Sequence, residues 1–569
     1  MTDFARASSH DPTLHEKLHS VFVRRAITRL PRTDAEKKLP IQRVDKVQRC
    51  NTHEVSTRLH DSKRARFLYL LDLLRNPAQV ANKHDVPVVS VPPSRAVSSV
   101  QASTLAESVV VEKVTAEMEA ADPSRGEINA FFVVEWEKQR LRAIHHTKWA
   151  NEQAYAHGYK CEISDLQHIS AYLGAVTADL GATADIHASF YHVEIPQESR
   201  CYYRFRDADG TLYQLSRAAM GHCIMPEIMQ TITNVLAGNP LYVKPEYAVH
   251  VPVHVWIDNI RHYGGRALLR VAQAALRDNA RALGLELNID EISDRYVFIG
   301  VLFDHRAKTV RVADKTLDKL PTIVPSSMTA REIEMLVSRL LFVAGVRQTP
   351  LVNHWWCLKW ARRVMNALNT GRMSCDTIVQ IPASAHKSLV EWKAQAHVPH
   401  SVVTANAKIK KATLFTDATL VGWGGVIVFA DGRVYSTGGQ FSDSEKRLNI
   451  NALEAKAPGY AIRDFTSLLK REQLSDLDLV VDNTSVQHRL PTGNTSAESM
   501  VQPLRDAWQR FIDLRLRVRT AYVSTSLNPA DSLSRGRPLE IEKITRAQRE
   551  ARTTNTRNGQ AGRFVGTAS

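Results

Sequence analysis

The chain has 569 residues, too many for one hydrophobic core of roughly 100–200 residues, so several domains are expected. Hydrophobic residues make up 44% and charged residues 23%, which excludes a mainly disordered or fibrous chain. The formal net charge of +15 points to a polyanionic partner, because lysine and arginine release condensed counterions when they neutralise phosphates. In chain order, residues 1–104 read as a basic N-terminal extension, with KKLPIQRVDKVQRC inside it and the Pro/Ser/Val-rich PVVSVPPSRAVSSVQAS as a linker. From 105 to 320, helical segments such as VVVEKVTAEMEAA and ALLRVAQAALRDNARALGL alternate with short strands such as VPVHVWI and RYVFIGVLF. Residues 321–408 are read as helical, with TAREIE supplying a capping box and a polar stretch closing the segment. A second mixed α/β domain is expected over 409–536, and the Arg-, Thr-, Asn- and Gly-rich 537–569 reads as a disordered basic tail.

No apolar run approaches the roughly 20 residues needed to span a bilayer, and the charged start lacks a signal-peptide core. The expectation is a protein without membrane partners, intracellular, in the cytoplasm or nucleus. Six scattered cysteines, Cys50, Cys161, Cys201, Cys223, Cys357 and Cys375, have no pair at zinc-ligand spacing and are read as buried, reduced thiols. His187, His192 and His254 likewise lack a partner at ligand spacing and are read as packing or surface residues.

Two acidic constellations carry the chemistry. In TADIHASFYHVEI, Asp185 ends a strand and is followed by Phe190 and Tyr191; in VPVHVWIDNIRHYGG, the Asp258-Asn259 pair suits a hairpin tip between two apolar strands. Either acid alone would be ordinary solvated surface. The order of segments around them resembles the reverse transcriptase palm. FFVVEWEKQRLRAIHHTKWAN is similar to the fingers segment, which implies that Arg140 and Arg142 hold an incoming triphosphate. LSRAAMGHCIMPEIMQ places Met220 and Gly221 where the family touches template and nucleotide, with Pro226 and Gln230 downstream. VWIDN occupies the place of the catalytic hairpin, ALGLELN follows it, and YVFIGVLFD resembles the primer grip. The resemblance implies metal ligation by Asp185, Asp258 and the carbonyl of Ile186, and an aromatic gate against the ribose 2′-hydroxyl at Phe190. Asn259 departs from the usual second aspartate.

The second constellation starts with LFTDATLVGWGGVI, a strand carrying Asp417, a turn and a glycine-rich strand. NINALEAKAPGYAIRDF puts Glu454 on the first turns of a helix, DLDLVVDNTSV ends a strand at Asp482, and LNPADSLSRG supplies Asp531 after a last strand. This series resembles ribonuclease H domains attached to long-terminal-repeat and tyrosine-recombinase retroelements.

Together the expected architecture is multidomain α+β: a right-hand polymerase palm and fingers with a helical thumb, then an α/β ribonuclease H-like domain. The implied function is RNA-directed DNA synthesis with ribonuclease H activity, as in LTR-type or DIRS-like retrotransposons, including trypanosomatid ones. Two Mg²⁺ or Mn²⁺ ions per centre would be the cofactors. RNA template, DNA primer, RNA–DNA hybrid and dNTPs would be the partners, with other retroelement proteins beside them. Lys359, Arg362 and Arg363 are candidates for holding the hybrid's backbone, or simply a solvated helix face. The alternative function is a domesticated, non-catalytic nucleic-acid-binding scaffold that keeps the fold.

Overall fold

The computed structural model describes residues 39–42, 44, 47–77, 97–125, 128–135, 138–163, 166, 169–401, 410–491 and 493–557. Residues 1–38, most of the Pro/Ser/Val-rich linker and the last twelve residues lie outside that set. The chain divides into two compact units, Met1–Leu166 with Ala178–Ile299, and Gln167–Thr177 with Gly300–Ser569. No described helix is long and apolar enough to cross a membrane.

In the first unit, helices α1 (Thr52–Arg58) and α2 (Asp61–Arg75) come first. A hairpin of β1 (Asn129–Glu135) and β2 (Arg140–His146) and helix α3 (Lys148–Ala156) follow. The centre is a four-stranded antiparallel sheet built from β3 (Leu180–Ile186), β4 (Val253–Trp256), β5 (Asn259–Gly264) and β6 (Leu287–Ile289), in the order β4-β5-β3-β6. Helix α4 (Met225–Leu236) is buried along almost its whole length, and the amphipathic α5 (Arg266–Leu283) covers the sheet with Leu269, Ala272, Leu276, Ala280 and Leu283.

The basic N-terminal region was expected to be an extension and linker. Residues 52–75 instead belong to the core: Val55, Leu59, Phe67, Leu70 and Leu74 are buried in one cluster with Ile186, Ile228 and Leu283. The apolar residues of FLYLLDLL recur at helical spacing, and their burial outweighs the polar composition around them. VVVEKVTAEMEAA is not one helix either. Val111–Lys113 form a strand, and the helix begins only at Ala116 behind its cap Thr115.

In the second unit, α6 (Ala330–Arg347) opens with the capping box expected from TAREIE: Thr329 Oγ1 accepts from Glu332 N at 3.2 Å, and Glu332 Oε2 accepts from Thr329 N at 2.8 Å. Helix α7 (Trp355–Asn369) follows, and α8 (Ala383–Gln395) lies in the stretch read from composition as polar, anchored by fully buried Trp392. Five strands then form one sheet: β7 (Lys411–Ala418), β8 (Gly422–Phe429), β9 (Val434–Gln440), β10 (Asp476–Val481) and β11 (Arg517–Tyr522), in the order β9-β8-β7-β10-β11. The first three pair antiparallel, while β10 runs parallel to both β7 and β11.

Both faces of this sheet are covered, as the continuous apolar runs of its strands require. Leu414, Ile427 and Leu479 pack under α9 (Ile450–Glu472) and α10 (Val501–Asp513). The adjacent residues Phe415, Val426 and Val480 point the other way and pack with Ile544, Ala547 and Ala551 of α12 (Ile541–Arg557), which follows the short α11 (Asp531–Ser534). Residues 541–557 are therefore helix rather than tail. The three apolar positions at spacings of three and four close one face of the sheet. Cys50, Cys201 and Cys357 are buried, Cys223 and Cys375 are partly buried, and Cys161 is exposed, so burial is not general. All six are free thiols.

Candidate active sites

Asp185 sits one residue from the end of β3, between two asparagines. Across the ladder it pairs with Asn259 of β5 on one side and Asn288 of β6 on the other. Paired residues share a sheet face, and Asn288 Nδ2 donates to Asp185 Oδ2 at 3.1 Å. Asp258 is brought beside this row by the β4–β5 hairpin, where Trp256 pairs with Asn259. The two turn residues are thus Ile257 and Asp258, and not Asp258 and Asn259 as the turn-forming character of Asp-Asn predicted. The ladder to Asp185 draws Asn259 into β5. Ile257 takes a φ of +56°, costly for a β-branched residue. Gln230 of α4 holds the turn, accepting from Ile257 N at 2.6 Å and donating to Val255 O at 3.3 Å.

Both oxygens of Asp258 have fixed donors: Ser189 Oγ to Oδ2 at 3.0 Å and Asn259 Nδ2 to Oδ1 at 2.8 Å. Ser189 is presented by the turn after Ala188, whose φ is +49°. Burial raises the Asp258 pKa above the usual carboxylate range and the charge of Asp185 adds to it, against the Ser189 hydroxyl and Arg142.

Asp185, Ile186, Phe190, Arg140, Arg142, Met220 and Asp258 line one cavity of about 300 Å³, large enough for a small ligand. Lys138, Gln42 and Asn288 line it too. Arg140 and Arg142 both pair with Glu135, at 2.5 and 3.0 Å, and Arg142 Nη1 reaches Met220 Sδ at 3.6 Å. Phe190 also packs partly against the core. Gly221 is outside the lining and shapes it from behind: its φ is +117°, and a Cβ there would meet His145 O at 2.5 Å. Asn151 fixes this loop, donating to Gly221 O at 2.8 Å and accepting from Cys223 N at 2.8 Å. His192 is buried, with Nε2 3.0 Å from His187 O, and His187 Nδ1 lies 3.7 Å from Glu286.

Ser189, Asn151 and Lys138 were passed over in the sequence. Asn288 was the last residue of ALGLELN, and its spacing from Asp185 gave no hint that β6 lies next to β3.

The second centre joins β7, α9 and β10. Asp417, Glu454 and Asp482 each offer a carboxylate oxygen within 4.8 Å of the others. Asp417 and Glu454 are only 3% and 6% exposed. Two adjacent glycines of β8 make room on its two faces: a Cβ at Gly424 would meet Ala530 O at 2.6 Å, and one at Gly425 would meet Ala461 Cβ of α9 at 2.7 Å. Pro458, one turn beyond Glu454, removes the N–H that the Glu454 carbonyl would otherwise accept.

Burial, then the charges of Asp417 and Asp482, pushes Glu454 up to about 9. Burial raises Asp417 as well, with the charges of Asp482 and Asp531 adding to it and the Ser534 hydroxyl, bonded to its Oδ2, acting in the opposite direction. Glu454 Oε2 and Asp482 Oδ1 are buried without a hydrogen-bond partner. Unpartnered buried oxygens in an all-carboxylate set fit a hard divalent cation such as Mg²⁺. Asp531 stands outside this trio, with its Oδ1 bound by Arg535 Nε at 3.0 Å and Nη2 at 2.8 Å, although its charge also raises Asp417 and Glu454. Lys359 and Arg362 are turned toward Glu498 and Asn494, at 3.0 Å each, which occupies them within their own unit.

No protein-family model and no curated protein matches the chain. Among solved structures it is similar to the foamy viral protease-reverse transcriptase dRH in complex with ds DNA, at a TM-score of 0.44 and 12% identity, over 86% of this chain and 84% of that one. It is similar also to the foamy viral protease-reverse transcriptase in complex with dsDNA, at a TM-score of 0.43 and 12% identity, over 85% of this chain and 99% of that one. For the complex of that protein with RNA/DNA hybrid the TM-score is 0.42 at 12% identity, over 85% of this chain and 64% of that one.

Proposed function

We propose that this chain is an RNA-directed DNA polymerase with ribonuclease H activity, taking an RNA template, a DNA primer and dNTPs at one centre and an RNA–DNA hybrid at the other. The observation that carries this reading is the presence of two separate carboxylate centres in one chain, each assembled from residues distant in sequence. One is Asp185 with Asp258 beside an arginine-lined cavity. The other is the trio Asp417, Glu454 and Asp482. In this reading Asp185, Asp258 and the Ile186 carbonyl hold the ions of the polymerase, and Asp417, Glu454, Asp482 and Asp531 those of the nuclease. Bound Mg²⁺ or Mn²⁺ lowers the pKa of an attacking hydroxyl or water and offsets charge on the reacting phosphate.

The chain's own groups do the rest. Ser189, Asn259 and Asn288 fix the planes of the two polymerase carboxylates through their hydrogen bonds. Arg140 and Arg142, held by Glu135, present guanidinium groups for which a triphosphate competes. Met220 and Gly221 form the loop side toward template and nucleotide.

A scaffold that merely kept the fold would be left with buried carboxyls whose oxygens lack partners, an arrangement that costs stability and is better replaced by apolar groups. The test is extension of a DNA primer on a homopolymeric RNA with Mg²⁺ or Mn²⁺. Failure to extend the primer and to fragment the RNA with either ion would return the chain to the scaffold reading.

Two substitutions probe the polymerase centre. Phe190→Ala is expected to relax exclusion of ribonucleotides by roughly 10- to 100-fold while DNA synthesis remains measurable. Unchanged discrimination between dNTP and rNTP would assign Phe190 to packing alone. Asn259→Asp exchanges a donor to Asp258 for a second negative charge. It should lower the Mg²⁺ concentration for half-maximal synthesis by roughly tenfold, whereas Asp258→Asn abolishes synthesis. Equal tolerance of both changes in a folded protein would remove this hairpin from the chemistry.

A further inference from the structure

Helix α5 buries one stripe against the sheet and carries a second along an exposed flank. Arg266, Arg270, Arg277 and Arg281 are all exposed. At 3.6 residues per turn and 1.5 Å per residue, they fall within about 60° of one another and run for roughly 22 Å. Among the described residues Arg266, Arg270 and Arg277 have no ion pair. Arg281 pairs only with Asp278, at 3.2 Å, both side chains being more than 70% exposed, so this pair does little to neutralise the row.

Helix stability accounts for only part of the pattern: Arg281 suits the last turn, but Arg266 stands in the first turn, where the helix dipole disfavours a cation, with no acidic residue in that turn and a cap, Gly265, that offers no side-chain bond. The path of the chain gives the row a direction. Strand β5 runs from Asn259, opposite Asp185, to Gly264, opposite Leu180. Helix α5 then returns along the sheet, and β6 pairs Leu287 with Ile186. Arg281 therefore lies toward the end of the sheet that carries Asp185, and Arg266 toward the far end.

We propose that this arginine row is a second nucleic-acid contact, a track for the phosphate backbone of a strand outside the Asp185–Asp258 cavity. A straight series of guanidinium groups on a rigid helix suits successive phosphates, which guanidinium binds bidentately. Such contacts position a strand without reading its bases. The chain's charge of +15 favours the same class of partner. Binding here does not depend on catalysis at either acidic centre, so it is measured without metal or turnover.

The test compares the full wild-type chain with the triple variant Arg266→Gln, Arg270→Gln, Arg277→Gln and with the corresponding triple lysine variant. Binding of a labelled RNA of about 40 nucleotides, and of an RNA–DNA hybrid of the same length, is titrated in EDTA from roughly 50 to 300 mM KCl. The glutamine variant is expected to reduce the slope of log affinity against log salt by about 2 to 3, and the lysine variant to keep it. The probe that loses more affinity identifies a single-stranded or a duplex occupant. Arg277→Gln alone, expected to lower the slope by about 1, keeps the test decisive if the triple variant folds poorly. Slopes and affinities matching wild type on both probes would overturn the proposal. So would a change of oligomeric state in the variants, or loss of binding to anionic vesicles with nucleic-acid affinity intact. Those outcomes would give the helix, with its exposed Leu268 and Val271, to another chain or to a lipid surface.

Discussion

Asp185→Asn is expected to stop primer extension while leaving cleavage of RNA in a hybrid nearly intact, and Glu454→Gln to do the reverse. Each change keeps size and removes one anionic oxygen donor. Asp185 is fixed by Asn288 and by two strand neighbours, so its amide replacement retains the ladder and loses only charge. Glu454 is on α9, buried beside Asp417 and Asp482, and its amide fits the same space. The two centres lie on separate compact units, so neither loss should carry over to the other activity. The expected loss at the mutated centre is about 4 kcal/mol of transition-state stabilisation, roughly a thousandfold in rate. One labelled hybrid, scored for extended primer and RNA fragments, reads both. A folded variant that loses both activities would sink the assignment of two independent centres.

Glu454→Gln should at the same time make the metal-free protein more stable. Its carboxyl is held at about 9 in the fold, against an ordinary value near 4.3 in the unfolded chain. Below the ordinary value both states hold the proton, and Glu454 contributes no penalty from ionisation. As pH rises above it, the unfolded state ionises while the folded state does not, so stability falls with pH until the folded group ionises near 9. At pH 8 in EDTA the glutamine variant is therefore expected to gain on the order of 3 kcal/mol, roughly 5–10 °C in the melting of the second unit. The gain should shrink toward pH 5. Added Mg²⁺ should raise the wild-type transition more than the variant's, because an ion that binds only the folded carboxylates stabilises only that state. A variant melting at or below the wild type across this range would mean that Glu454 is not held under electrostatic strain.

These two centres were unequally legible from sequence. Asp417, Glu454 and Asp482 are each placed by an element with a strong local signature: an apolar strand, a helix after Asn449 as cap, and a strand ending in an acid. Local patterns place each acid on its own element, and their convergence is what the resemblance alone implies. Asp531 is visible too, but nothing in the sequence shows its capture by Arg535 four residues later. At the first centre the acids, Asn259 and Gln230 are visible in the sequence, but the bonds by which Gln230, Ser189, Asn259 and Asn288 support the acids are not. Asn288 acts across a sheet whose strand order is not the chain order, Gln230 from a helix and Ser189 from a turn, and one sequence does not reveal which of these become neighbours. The tip of the hairpin was misplaced by one residue because the turn preference of Asp-Asn lost to pairing between Asn259 and Asp185. The helices at 52–75 and 541–557 were hidden for a different reason. In 541–557 charged and polar residues dominate and the few apolar positions are informative only by spacing, while the apolar run Phe67–Leu74 lies in surroundings that are basic and polar.

Gly424 and Gly425 have a consequence for how this chain tolerates change. They are consecutive on β8, so one faces the helix that starts at Asp531 and the other faces the helix that carries Glu454, with backbone or Cβ atoms closer than any side chain allows. Neither offers a functional group. In a saturation mutagenesis selection for hybrid cleavage, both should nevertheless rank with the acids among the least replaceable positions, since overpacking there displaces the acids themselves. Intolerance at the acids should persist only in assays of cleavage, while intolerance at the two glycines should also register as lost soluble protein. A screen that reads abundance beside activity would thus sort the chemistry of this centre from the space it occupies.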